Sequence, residues 1–282
     1  MLRAVPAGIV RPAYAASGVL PRRAATPIVK TAAQIDAMRV AGRIAATMRE
    51  RAGLMCKPGV TTSEIDGRIH DEICATGAYP SPLNYAGFPK SICTSVNDVM
   101  CHGIPDQTRL SSGDIVSIDV SVFHNGVHGD CCATFPVGKV STEAADVMRA
   151  ARDACWEAIG ICRPGVRTSD IGVLIDEFAA KRGFAVSETF CGHGVGESLH
   201  ELPNIVHTKS SREYEDAVME PGMVFTIEPI LVVGPDAEHV IMPDLWTAKS
   251  QRGFISAQHE EMVAITEAGC EVLTAIQTPT YS

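Results

Sequence analysis

Apolar residues recur at helix-like spacing from Thr31 to about Ala52, through Ile35, Met38, Val40, Ala41, Ile44 and Met48, and predict a first amphipathic helix. The pattern changes to period two at Asp114. Ile115, Ser117, Asp119 and Ser121 would then share one face of a strand, and Val116, Ile118, Val120 and Val122 the other. His124-Asn125-Gly126 is a hairpin signal, so the next strand, from Val127, should fold back and carry Asp130 beside Asp119. Two further apolar segments, Met223 to Ile227 and Met262 to Ile265, also read as strands.

These elements occur twice. Lys57-Pro58-Gly59-Val60-Thr61-Thr62-Ser63-Glu64-Ile65 matches Arg163-Pro164-Gly165-Val166-Arg167-Thr168-Ser169-Asp170-Ile171 at an offset of 106 (163 minus 57). Each copy predicts a Pro-Gly turn, an N-cap threonine (Thr62, Thr168) and a helix with an acid in its first turn. Gly113-Asp114-Ile115-Val116-Ser117-Ile118-Asp119 resembles Gly222-Met223-Val224-Phe225-Thr226-Ile227-Glu228, now at an offset of 109 (222 minus 113). Between these blocks, Cys101-His102-Gly103-Ile104 resembles Gly192-His193-Gly194-Val195. Three blocks in one order predict a duplicated α/β unit with a pseudo-two-fold axis, and two copies are too few for a solenoid.

Composition narrows the partners. The chain of 282 residues is 46% hydrophobic and 20% charged, enough for a sizeable core. A net charge of -9 supplies no general basic field for nucleic acid or an anionic membrane. No apolar run approaches the ~20 residues that span a bilayer. Ten cysteines without a CxxC pair or a secretory leader, several of them inside apolar runs, read as reduced thiols of an intracellular protein. The first 35 residues hold Arg3, Arg11, Arg22, Arg23 and Lys30 and no acid. Two readings stay open: a transit peptide for mitochondrion or plastid, or a flexible arm lying over the domain. Cytoplasm is the first expectation for location.

The candidate chemistry lies in acids without a structural excuse. Asp119 and Asp130, brought together by the hairpin, would repel unless a cation stood between them. Glu228 stands among apolar neighbours, and one of Glu260 and Glu261 must point inward, the alternation alone leaving open which. His193 sits in a glycine-rich stretch that lets backbone approach a site closely, and His102 and His200 are further candidates. Four carboxylates and an imidazole suit Mn, Fe or Co as well as Zn. They exceed what one catalytic zinc takes and fit two metals ~3.5–4 Å apart. The residues by themselves indicate metal-dependent hydrolysis and no particular substrate.

Tyr79-Pro80-Ser81-Pro82-Leu83-Asn84-Tyr85, Gly87-Phe88-Pro89-Lys90-Ser91, Cys101-His102-Gly103-Ile104-Pro105-Asp106 and the segments around the acids closely resemble the type I methionine aminopeptidases, over roughly residues 32 to 275. The resemblance implies the α/β pita-bread fold: two pseudo-symmetric halves around a curved, mainly antiparallel sheet with outer helices. Residues 1–31 would form the extension or targeting arm and residues 32–282 the catalytic domain. It further implies removal of the initiator methionine from nascent chains with a small second residue, by a metal-bridged hydroxide between two divalent ions of Co, Mn, Fe or Zn. By it the metal ligands are Asp119, Asp130, His193, Glu228 and Glu260, with Glu260 rather than Glu261 as the match. His200 would stabilise the oxyanion, His102 would sit near the scissile nitrogen, and Glu228 would act as base. Pro82, Tyr85, Phe88, Cys93, Leu199 and Trp246 would line the methionine pocket. Asn97, Val99 and Ser256 would hold a monovalent cation. The implied partners are polypeptide N-termini, at the ribosome, and the expected state is a monomer.

Departures from the family pattern are Ala86, Cys131-Cys132 after Asp130, Glu197-Ser198, Leu199 ahead of His200, and Glu261. The 35 residues from His193 to Glu228 (228 minus 193) leave no room for the helical insertion of type II enzymes. A peptidase of the prolidase or aminopeptidase P kind, and a binding protein that keeps the fold, are the alternatives.

Overall fold

The computed structural model describes residues 2–209 and 216–276. Four helices flank a curved antiparallel sheet. α1 (Ala32–Met55) and α2 (Thr62–Ala75) belong to the first half, and α3 (Thr142–Ile161) and α4 (Thr168–Ala180) to the second. Along the sheet the strands run Tyr79–Pro80, Ile115–His124, Val127–Pro136, Ser256–Thr266, Val224–Ile227, Gly192–Gly194 and Glu201–Ile205. Each neighbouring pair is antiparallel. The duplicated, two-lobed α/β architecture read from the sequence is present. Among the described residues no helix is long and apolar enough to cross a membrane.

Two apolar cores carry the halves. One joins Met38, Ala41 and Ala45 of α1 and Ile65 and Ile69 of α2 to Val116, Ile118, Val120 and Val122 of the hairpin. The other joins Val147, Ala151 and Cys155 of α3 and Ile171 and Ile175 of α4 to Phe225, Ile227, Val263 and Ile265. The valines of Ile115–His124 therefore face α1 and leave Asp119 on the opposite face, as the period-two pattern requires. Glycine permits α1 to lie this close: a Cβ on Gly129 would come within 2.4 Å of the Ala41 backbone.

The caps differ from expectation by one residue. The N-cap of α2 is Thr61, not Thr62, and its hydroxyl accepts from the Glu64 amide while the Glu64 carboxylate accepts from the Thr61 amide, a closed capping box. In the second copy the N-cap is Arg167, not Thr168. The Thr168 hydroxyl, just inside α4, instead pairs with Asp216 at 3.1 Å. The repeated Thr-Ser falls one position into each helix, and the earlier residue carries the extended backbone of a cap.

The amino-terminal segment, read as either a transit peptide or a flexible arm lying over the domain, packs along the domain. Tyr14 is buried and donates to the Ser81 carbonyl at 2.7 Å. Its ring meets Tyr85 edge-on, with centroids 5.1 Å apart. Arg3 pairs with buried Asp66 at 3.0 Å, and Lys30 forms a buried ion pair with Glu201. Through Tyr14 and Tyr85 the residues ahead of α1 reach the wall of the cavity described next.

Candidate metal centre

Strand register places the acids. Cys132 pairs with Asp119 on one side and with Glu260 on the other, so these three side chains form a row across one face of the sheet. Asp130, two residues before Cys132, shares that face. In the second half Ile227 pairs with Glu261. Glu228, the next residue along, is thereby brought to the side of Glu260. The alternatives left open by alternation separate here: Glu260 faces the cavity and Glu261 the back of the sheet.

His193 completes the cluster from Gly192–Gly194. Its Nε2 lies 3.7 Å from an Asp130 oxygen and 3.6 Å from a Glu228 oxygen. Ligand atoms of Asp130, His193 and Glu260 lie within 4.8 Å of one another. Asp119 Oδ1 is buried with no hydrogen-bond partner among the described residues. The His193 amide donates to Thr226 Oγ1 at 3.0 Å, and the Thr226 hydroxyl donates to Glu228 Oε1 at 2.8 Å. Glu228 also accepts from Gln258 Nε2 at 3.3 Å, and its amide donates to His207 Nε2 at 3.2 Å.

The electrostatics favour a cation. Burial, offset in part by the Cys93 thiol, raises the Asp119 carboxyl to about 7. Burial and the Asp119 charge raise Glu228 to about 8 against the lowering bond from Thr226. Asp130 and Glu260 are pushed well above the carboxylate range, by burial first and then by the other acids of the cluster. Burial lowers His193 to about 4, so its ring is neutral and free to ligate. Four mutually repelling oxygen donors, one neutral imidazole and an orphaned carboxylate oxygen fit divalent metal. The donor set is that of a metalloenzyme, and each lobe contributes to it.

The cage forms the floor of a cavity of about 370 Å³ that also takes in Pro82, Tyr85, Phe88, Cys93, His102, Leu199, His200 and Trp246. His102 holds a left-handed backbone, φ 55°, and its ring meets Trp246 and Phe190 edge-on. Burial lowers it to about 4. His200 faces the cavity, stacks edge-on against His193 with centroids 4.2 Å apart and bonds through Nδ1 to the Tyr85 hydroxyl. The close walls hold its imidazolium well below the usual range. Burial raises the Tyr85 phenol to about 12, so that hydroxyl keeps its proton. Ala86 is exposed and does not line the cavity, whereas Leu199 does. Asn97, Val99 and Ser256 meet elsewhere: Ser256 Oγ lies 3.3 and 3.4 Å from the Asn97 and Val99 carbonyl oxygens.

Sequence reasoning passed over Thr226, Gln258, His207 and Arg23. Thr226 is a polar residue in an apolar strand, the same signal that singled out Glu228, whereas Gln258 stands among polar neighbours and His207 follows the strand Glu201–Ile205, so neither carries it. Arg23 carries no such signal.

The chain belongs to metallopeptidase family M24, whose model matches residues 36–267. It is 44% identical to methionine aminopeptidase 1D, mitochondrial, of Dictyostelium discoideum, over 96% of this chain and 67% of that one. It is 42% identical to methionine aminopeptidase 2 of Mycobacterium tuberculosis, over 97% of this chain and 95% of that one. The solved methionine aminopeptidase of Rickettsia prowazekii superposes with a TM-score of 0.85 at 36% identity, covering 89% of this chain and all of that one. Prolidase from Pyrococcus furiosus, at 22% identity and a TM-score of 0.70, shares the fold.

One pH dependence follows from these shifts. An acid raised in the folded state stabilises it least where ionised, so metal-free protein should gain stability as pH falls from 8 to about 6.5 through the raised values of Glu228 and Asp119. Below that point the buried histidines oppose any further gain: His102 and His193, held to about 4, and His128 and His207, held to about 3, resist the protons that the unfolded chain accepts. The Tm of metal-stripped protein should therefore fall from pH 6.5 to pH 8, and saturating metal should abolish that fall. A metal-free melt whose midpoint rises steadily from pH 6.5 to 8 contradicts the raised carboxylates.

Proposed function

We propose that the chain removes the amino-terminal methionine from nascent polypeptides and peptides whose second residue is small. The cage of Asp119, Asp130, His193, Glu228 and Glu260, set beside a cavity of aromatic and soft side chains, carries this reading. The family match and the 42–44% identity to proteins named methionine aminopeptidase support it.

Asp119, Asp130, His193, Glu228 and Glu260 would hold the divalent ions, two by the size of the donor set. When bound, the ions supply Lewis-acid activation of water and of the scissile carbonyl. Glu228, oriented by the Thr226 hydroxyl, takes a proton from the attacking water and delivers it to the leaving amine. With the Tyr85 hydroxyl assigned as the donor to His200 Nδ1, the ring proton lies on Nε2, where it would meet the oxyanion as it develops. His102, neutral and fixed by Trp246 and Phe190, sits by the scissile nitrogen.

Pro82, Tyr85, Phe88, Cys93, Leu199 and Trp246 receive the methionine side chain. Phe88 and Trp246 meet edge-on at 5.2 Å, and burial keeps the Cys93 thiol protonated, a soft apolar wall for a thioether. The Asn97 and Val99 carbonyls and the Ser256 hydroxyl form the monovalent-cation site. The chain acts as a monomer at the ribosome, in the cytoplasm, with mitochondrion or plastid as the second reading of its Arg-rich amino terminus.

The test is an assay of metal-stripped protein reloaded with Mn, Fe, Co or Zn in turn. Methionine should be released from a Met-Ala-Ser peptide with at least one metal, and nothing from an Ala-Pro peptide. Cleavage of Ala-Pro alone would identify an X-Pro peptidase. Binding of Met-Ala-Ser without cleavage under every metal would identify a non-catalytic binder.

A further inference from the structure

Arg23, in the segment ahead of α1, is the only Lys or Arg among the described residues lining the cavity. Its Nη2 donates to Asn204 Oδ1 at 2.7 Å and to the Glu201 carbonyl. Asn204 is the cross-strand partner of His193, so the guanidinium stands one strand from the cage. Arg23 is exposed and lines the cavity together with Tyr85, Cys191 and His200, which puts it at the mouth.

A guanidinium has five N–H donors in a fork suited to carboxylate. Here Nη2 alone has partners among the described residues, and no described carboxylate lies within 4 Å of Arg23. The cavity is thus acidic at its floor and cationic at its rim. A peptide whose methionine side chain fills the pocket and whose scissile bond stands at the cage would lead its chain outward past the rim.

We propose that Arg23 is a specificity-determining residue that binds an acidic side chain on the substrate beyond its small second residue. This rests on the aminopeptidase reading, which supplies the direction of the substrate. An exposed pair of this kind contributes about 2- to 5-fold in affinity. It weakens with salt, because the rim is open to solvent.

The test uses metal-loaded enzyme and carboxy-terminally amidated peptides Met-Ala-X-Ser-Ser, with X as Asp, Ser or Lys. The wild type should rank them Asp, Ser, Lys in kcat/KM, about 2- to 5-fold from first to last and mainly in KM, with the ranking flattened by added salt. Arg23→Gln should erase the order, Arg23→Glu should reverse it, and Arg23→Lys should keep it. A variant that merely loosened the amino-terminal segment would slow all peptides alike. Persistence of the order in Arg23→Gln, or its absence in a wild type that releases methionine readily, overturns the inference alone. Failure of the wild type to release methionine from any of the three overturns the aminopeptidase reading, and the inference with it.

Discussion

Asp130→Ala should lower kcat/KM for methionine release from a Met-Ala-Ser peptide by at least about 10³-fold, more than the roughly 10- to 100-fold that loss of a ligand's outer partner costs. Asp130 is the acid whose oxygen lies close to both His193 and Glu260, so its loss opens the cage at its centre. The same substitution removes one of four buried acids that raise one another's carboxyls. Metal-free Asp130→Ala should therefore melt no lower than the metal-free wild type at pH 8, while the wild type alone gains stability on adding metal. A variant that keeps both turnover and the metal-dependent rise in Tm would remove Asp130 from the centre.

Arg49→Met should produce the largest loss of stability. Arg49 crosses from α1 to the back of Ser256–Thr266, where its guanidinium lies 3.1 Å from Glu261 Oε1 and also reaches the Glu260 carbonyl. Both side chains of that pair are nearly inaccessible, 4% and 3% exposed. Glu261 also accepts from the Thr274 hydroxyl, and His259 stands 3.2 Å away. These partners hold the Glu261 carboxyl below its ordinary value despite burial. Removing Arg49 strands a buried carboxylate at a cost of about 3–5 kcal/mol, whereas a neutral pair of similar volume is tolerated far better. At pH 8 the Tm of Arg49→Met should fall by roughly 10 °C, and the double variant Arg49→Met, Glu261→Gln should recover most of it. Equal melting of the single and double variants would show that the pair does not set stability.

That network also accounts for Glu261, a departure from the family pattern. As an acid next to Glu260 it could have altered the cage. Alternation sends it through the sheet to Arg49, where α1 supplies the counter-charge.

Much of the cage could be read from the sequence because its causes are local. Period-two alternation sets the face of Asp119, and the Asn125-Gly126 turn fixes the register that brings Asp130 back beside it. The internal repeat put Glu228 at the end of the strand equivalent to that of Asp119. The choice of Glu260 over Glu261 had no local cause: both neighbours of Glu260 along the sheet, Cys132 and the Glu228 segment, come from distant parts of the chain. The N-caps were misplaced by one residue because two capping candidates stand side by side at Thr61-Thr62, and only backbone geometry separates them. The packing of the amino-terminal segment was not legible either. Tyr14, Arg23 and Lys30 find their partners at Ser81, Asn204 and Glu201, and composition alone does not encode such pairings.

The central claim is that a metal-loaded cage at the end of this cavity releases one methionine and then stops. Its most direct measurement is the intact mass of protein substrates beginning Met-Ala or Met-Leu, incubated with the metal-loaded chain and with the chain stripped of metal. The account predicts loss of a single methionine from the Met-Ala substrate, none from Met-Leu, and none from either without metal. Unchanged masses for both substrates with metal bound, or continued trimming past alanine, would contradict it.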